Sequence, residues 1–202
     1  MCDVRFEVLE MFGYLRIKFQ EQHLQPIKDE IKQIMDSNFS NQLLYSHRLV
    51  GNIKNEFLLT HSHKYIENLL FPHVSQYACK VGLGNDKNVI PTLQSVWVNF
   101  QKKHEFNPVH SHTNGDISFV IWFKIPYNVD EELALFEGCR KSTSAFQFVF
   151  QGVNGKMSIN TLYLSSNDEY TCIIFPSWLH HVVYPFYTSD DYRISVAGNF
   201  KV

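Results

Sequence analysis

The chain has 202 residues, room for one domain with a substantial core. A composition that is 45% hydrophobic and 19% charged excludes a disordered segment, and a net charge of −2 with scattered Lys and Arg gives no footprint for nucleic acid. No apolar run is long enough to span a bilayer, MCDVRFEVLEMFGYLRIKF lacks a signal-peptide core, and the four cysteines show no CxxC, so a soluble cytoplasmic protein with reduced thiols is expected.

Residues 4–19 alternate loosely, through Val4, Phe6 and Val8 and then Tyr14, Ile17 and Phe19, which predicts one or two short strands. From Leu24 the period becomes helical: Leu24, Ile27, Ile31, Ile34 and Met35 form one stripe, with Pro26 in the first turn. The polar, turn-rich stretch SNFSNQLLYSHRLVGNIKNEFLL predicts a loop with short extended pieces. A second helix, capped by Thr60 or Ser62, runs through Ile66, Leu69 and Leu70, breaks at Pro72, resumes with Val74, Tyr77, Ala78 and Val81, and ends in GLGND.

From residue 90 the character is β. LQSVWVNFQ, ISFVIWFKI, AFQFVFQG, KMSINTLYL, YTCIIF, HHVVYPF and DYRISVAGNF are short runs of β-branched and aromatic residues separated by Asn, Gly, Asp and Pro. The fold predicted is mainly β with N-terminal helices (α+β): a double-stranded β-helix, or jelly roll, with helices packed on one sheet. Residues 1–90 form the helical support of a single domain and 91–202 its β core.

The tripeptide His-Ser-His occurs twice. At a helix start, His61 and His63 would point about 200° apart and cannot converge on one ion. His110 and His112 precede a strand, where residues i and i+2 share a face, so both imidazoles can aim into one cavity. Asn107-Pro108 sets a turn before them, Thr113-Asn114-Gly115-Asp116 a polar loop after them, and Asp116 adds a carboxylate. Downstream, FPSWLHHVVYPF holds His180 and His181, of which alternation lets one join the same cavity. DYRISVAGNF places Arg193 and Ser195 on one strand face, suited to clamping a carboxylate.

VHSHTNGDISFVIW, FPSWLHHVVYP and RISVAGNF together resemble the Fe(II)- and 2-oxoglutarate-dependent oxygenases. More narrowly, the chain is similar to small oxygenases with HxH, FPSWLxHxV and RIS segments found in tailed phages of cyanobacteria and in marine bacteria. The resemblance covers about residues 95–200, and GNIKNEF also looks like that group. It implies Fe(II) and 2-oxoglutarate as cofactors, O2 as co-substrate, and hydroxylation of a substrate with release of succinate and CO2. A phage origin would put the protein in the host cytoplasm, and a homodimer is compatible with the pattern. The resemblance makes His110 and His181 metal ligands, with His180 pointing away. It gives Arg193 and Ser195 the distal carboxylate of 2-oxoglutarate and Asn99 a contact to the co-substrate or a metal-bound water.

The family's usual third ligand is the Asp of HxD, a position held here by His112. Three imidazoles, or two with Asp116 as the carboxylate, complete the face, or His112 orients the site from behind. Phe119, Ile121, Phe123, Phe146, Phe148 and Phe150 wall a dry cavity or simply fill the core, and the loop 128–144 is a lid or an exposed acidic loop. Two other readings stay open: a cupin-type three-histidine dioxygenase without 2-oxoglutarate, and a non-catalytic jelly-roll binding module.

Overall fold

Each of the seven alternating runs from residue 92 onward becomes a strand, joined by three shorter ones. In chain order these are β1 (Leu15–Lys18), β2 (Asn55–Leu58), β3 (Thr92–Gln101), β4 (Asn107–His110), β5 (Ile117–Lys124), β6 (Phe146–Gln151), β7 (Met157–Leu162), β8 (Thr171–Pro176), β9 (His180–Val183) and β10 (Arg193–Lys201). The helices are α1 (Gln25–Asp36), α2 (His63–Lys80) and α3 (Val129–Ala134). They are seen in a computed structural model that describes residues 13–40, 43–83, 90–139, 141–152 and 154–202. The alternation expected at Val4, Phe6 and Val8 lies outside the described residues.

A major sheet has the order β1-β8-β5-β10-β3-β2 and a minor sheet the order β4-β9-β6-β7. All pairings are antiparallel, giving the jelly roll expected. The major sheet is buried on both faces. Its outer face (Phe57, Val96, Val98, Phe100, Ile121, Val196) packs against the stripe Ile27, Ile31 and Ile34 of α1 and Ile66, Leu70, Val74 and Tyr77 of α2. Its inner face (Val120, Trp122, Ile173, Phe175) meets Phe146 and Phe148 of the minor sheet. The cavity walls are therefore corrected in phase: Ile121 and Phe123 lie in the helix-side core, and Val120 and Trp122 face inward. Both faces of β5 are apolar, so its alternation carries no sign of which side is which. Among the described residues no helix is long and apolar enough to cross a membrane.

The break expected at Pro72 does not occur, because α2 runs continuously from His63 to Lys80. Pro72 and Asn68, whose carbonyl loses its N–H partner, both lie on the exposed side of the helix, open to solvent. The start of α2 also differs from expectation, since Ser62 is its N-cap but makes no side-chain cap. Instead Glu30 of α1, only 6% exposed, accepts from the backbone N–H of Thr60, His61 and Ser62 and from the Ser62 hydroxyl. One carboxylate thus satisfies four donors at a helix entrance and joins the two helices.

The loop 128–144 is neither a free lid nor a wholly exposed acidic segment. Asn128 caps α3 by accepting from Asp130 and Glu131 N–H, and Glu132 is fully buried. Its carboxylate accepts from the N–H of Tyr187 and Thr188 and from the Thr188 hydroxyl, which pins the loop to the segment before β10.

Burial alone would raise the Glu30 carboxyl, but the Ser62 hydroxyl and the three amides outweigh it and hold it below 4.5. The stabilisation is therefore complete above 4.5 and is lost as pH falls through the folded value. Glu30→Ala should lower stability at pH 7 by roughly 2–3 kcal/mol, since it strands buried donors as well as losing charged hydrogen bonds. Urea unfolding at pH 7 checks this, and an unchanged midpoint would count against the capping role.

Candidate metal centre

His110 ends β4 and stands directly across from His181 of β9, a Cα partner in the antiparallel register. Pro108 sits inside β4, which the sequence suggested was only a turn. The strand is at the sheet edge, so the missing N–H removes no ladder bond on its open side. Alternation along β9 leaves His180 exposed and turns His181 inward, where it is 4% exposed. His112 lies two residues beyond His110 and closes the group.

The ligating nitrogens of His110, His112 and His181 all lie within 4.8 Å of one another, the one such His/Cys/Asp/Glu group of three or more among the described residues. Nδ1 of His110 is 2.7 Å from the Pro108 carbonyl and Nδ1 of His181 is 2.9 Å from the Leu179 carbonyl. A carbonyl only accepts, so each ring carries its hydrogen on Nδ1 and presents a bare Nε2. Nε2 of His181 faces Nε2 of His112 at 3.3 Å. With the His181 nitrogen bare, His112 Nε2–H donates to it, and moving that proton to Nδ1 would free both nitrogens for a shared cation.

All three imidazoles are held neutral. Burial lowers His110, with repulsion from His180 adding to it. Burial and then His110 push His112 down to about 4. His181 falls well below 6.5 through burial and its two neighbours. A neutral ring is the form that binds a metal.

The turn after His112 is locked to the frame. His112 N–H donates to the Ser177 carbonyl at 2.8 Å, Ser177 N–H to the Asp116 carbonyl at 2.9 Å, and Asp116 N–H to the Phe200 carbonyl at 2.8 Å. Gly115 leaves no space for a side chain, since a Cβ there would lie 2.8 Å from Asn199 Cβ. The Asp116 carboxylate takes Lys201 Nζ at 2.9 Å and Val202 N–H at 3.0 Å, and the three imidazoles converge without it. The other tripeptide forms no such group. His61 is exposed, its Nδ1 3.9 Å from Glu30, and His63 begins α2.

A cavity bounded by His110, His112 and His181 at one end reaches Arg193 at the other, with Asn99 and Ser195 between. Arg193 is 3% exposed and all five of its N–H groups are engaged. Nε and Nη2 share Gln101 Oε1 at 3.1 and 2.6 Å, Nη1 donates to the Tyr127 hydroxyl and the Ser144 carbonyl, and Nη2 also donates to the Tyr184 carbonyl. Each of these acceptors is neutral, and no carboxylate among the described residues pairs with the guanidinium. Its hydrogens are satisfied and its charge is not. Asn99 Nδ2 donates to Ser195 Oγ at 3.1 Å across the β3–β10 pair. Gln101 and Tyr127, which fix the guanidinium, were not singled out from sequence, although Gln101 stands two residues after Asn99 on the same face.

Residues 95–199 match the family described as "Putative 2OG-Fe(II) oxygenase". No curated protein gives a significant match. Among solved structures, a prolyl-4-hydroxylase from Pseudomonas putida is similar over 94% of this chain and 92% of its own, with TM-score 0.56 and 11% identity. A viral collagen prolyl hydroxylase from Paramecium bursaria Chlorella virus-1, in complex with 2OG, is similar over 94% and 96%, with TM-score 0.53 and 11% identity. The carbocyclase SnoK from nogalamycin biosynthesis aligns over 94% and 79%, with TM-score 0.58 and 10% identity. These likenesses establish the fold, and the match to the family model, across more than half of the sequence, establishes the rest: the chain belongs to the 2OG-Fe(II) oxygenases, enzymes that use Fe(II) and 2-oxoglutarate.

Proposed function

We propose that this chain hydroxylates an as yet unidentified substrate, with His110, His112 and His181 holding Fe(II) and Arg193, Ser195 and Asn99 seating 2-oxoglutarate. The observation that carries the reading is the single cavity linking three neutral imidazoles to a buried guanidinium with no partner carboxylate. The donor set fits the metal: all three rings are kept neutral, and two present a bare Nε2 fixed by a backbone carbonyl. The charge pattern fits the co-substrate. Three imidazoles bring no negative charge, so an Fe(II) ion and Arg193 in one dry cavity call for a dianion.

Bound there, Fe(II) with 2-oxoglutarate and O2 supplies oxidative decarboxylation to succinate and CO2 coupled to hydroxylation of a substrate C–H bond. The protein's own contribution is positional. The β4–β9 register and the locked turn hold the imidazoles, Gln101 and Tyr127 hold the guanidinium flat, and Trp122, Phe146 and Phe175 keep water from the inner end. The three-histidine set also suits a cupin-type dioxygenase that needs no keto acid, and the first test below separates the two.

Anaerobic Fe(II) protein should develop a weak visible charge-transfer band on adding 2-oxoglutarate and release succinate slowly in air. Arg193→Ala should weaken 2-oxoglutarate at least about tenfold, the loss of the one buried positive charge beside the anion, while sparing metal binding. Absence of both band and succinate would sink the oxygenase reading. A second expectation concerns pH. The folded imidazoles titrate below 6.5, so the unfolded chain takes up protons first. Stability of the metal-free protein is complete above 6.5 and should decline as pH falls from there toward about 4. Urea midpoints at pH 7.5 and 5 measure it in the Glu56→Gln protein, since buried Glu56, raised to about 8, works in the opposite direction over this range; an equal or higher midpoint at the lower pH in that background would contradict the assignment.

A further inference from the structure

One buried carboxyl stands beside the co-substrate cavity and takes no part in the site described above. Glu56 of β2 is 2% exposed and is the Cα partner of Asn99 on β3, which in turn is the partner of Ser195 on β10. Residues directly opposite on antiparallel strands project to the same face, with Cβ atoms about 4.5–5.5 Å apart. Glu56, Asn99 and Ser195 thus form one transverse row on the inner face, ending in the cavity.

Two oxygens in this row have no hydrogen-bond partner among the described residues: Glu56 Oε1 and Asn99 Oδ1. The Asn99 amide cannot be reversed to mend this. Its Nδ2 faces both Ser195 Oγ at 3.1 Å and the Ser195 carbonyl at 3.4 Å, and a carbonyl demands a donor. Oδ1 is left to the opposite flank of β3, the side on which Glu56 stands. Two bare acceptors side by side in a buried layer repel, and a single proton between them removes both defects. The direction of bonding then follows along the row. Ser195 Oγ accepts from Asn99, so its own hydrogen is free to turn elsewhere, and the cavity lies there.

We propose that Glu56 is a positioning residue that acts as a neutral acid, donating its carboxyl proton to Asn99 Oδ1, so that Asn99 holds the Ser195 hydroxyl with its hydrogen directed at the carboxylate of bound 2-oxoglutarate. The proposal rests on the reading of Arg193 and Ser195 as the seat of that carboxylate. The surroundings favour the neutral form: burial, with the nearby Glu105 carboxylate adding to it, raises Glu56 from 4.5 to about 8. Glu105 is itself taken by the backbone N–H of Lys54 and Lys102, and the Lys54 side chain is exposed. From the segment before β2, Tyr45 and Ser46 meet only the Glu56 backbone, and His47 is exposed. Arg193, also on the inner face, already has all five N–H groups engaged. Ionisation of Glu56 would set a carboxylate against Asn99 Oδ1 and loosen the row just where an anion must bind.

The test is 2-oxoglutarate affinity of the anaerobic Fe(II) protein from pH 6.5 to 9, for wild type, Glu56→Gln, Glu56→Leu and Ser195→Ala, with thermal melts as a control for folding. Wild type should weaken roughly tenfold as pH rises through the Glu56 transition, the scale of one hydrogen bond to a charged group. Glu56→Gln, whose amide N–H donates permanently, should bind as wild type does at pH 6.5 and lose the pH dependence. Glu56→Leu, with neither donor nor charge, should bind roughly tenfold more weakly at every pH. A Glu56→Gln protein that keeps the wild-type pH profile, or a Glu56→Leu protein of wild-type affinity, overturns the proposal. Should Ser195→Ala leave affinity unchanged, the seat itself is misassigned, a failure distinct from that of Glu56.

Discussion

Everything at the candidate centre depends on one pairing, that of β4 with β9. The register sets His110 opposite His181, and a slip of β9 by a single residue would set His180 or Val182 there instead. Four residues of an edge strand that contains proline make a weak ladder, so the register needs support from outside. It comes from the turn beyond, where Ser177, Asp116 and the end of β10 exchange backbone bonds and the Asp116 carboxylate ties the corner. The Asp116 carboxylate, which sequence offered as a ligand, here accepts from Lys201 and Val202 and braces the turn that carries the imidazoles.

The major sheet divides the molecule's labour. Its outer face is buried under α1 and α2 in an apolar layer. The inner face can then carry polar groups among its aromatics: Arg193 beside Gln101, Ser195 beside Asn99, and Glu56 at the edge. A buried guanidinium satisfied only by neutral acceptors is an expensive arrangement for a free protein and a favourable one for a protein awaiting an anion. The helices matter to chemistry only through this division, and Glu30, by capping α2 from α1, makes them one support.

Much of this was legible in the residues. The seven β runs, the amphipathic stripe of α1 and the convergence of His110 with His112 follow from period and spacing, and the resemblance named the family and chose His181 over His180. What escaped has a common character. The inward phase of β5 was hidden because Phe119 through Phe123 are apolar on both faces. β4 was hidden by its proline, and the unbroken α2 by a proline whose lost bond faces water. Glu30, Glu132 and Gln101 act on partners tens of residues away, and local sequence has no record of such distances.

β10 has a consequence for how the protein comes to be folded. It lies between β5 and β3, yet follows both in the chain by dozens of residues. Until it inserts, β3 with β2 and the helices on one side, and β5 with β8 on the other, each present a long unpaired edge rich in Val, Ile, Phe and Trp. Such non-local closure is intrinsically slow and leaves adhesive intermediates exposed while it waits. Since β10 also carries Arg193 and Ser195, the step that seals the sheet is also the step that completes the wall of the cavity they line. A chain trapped short of it is sticky and has its cavity open along one wall.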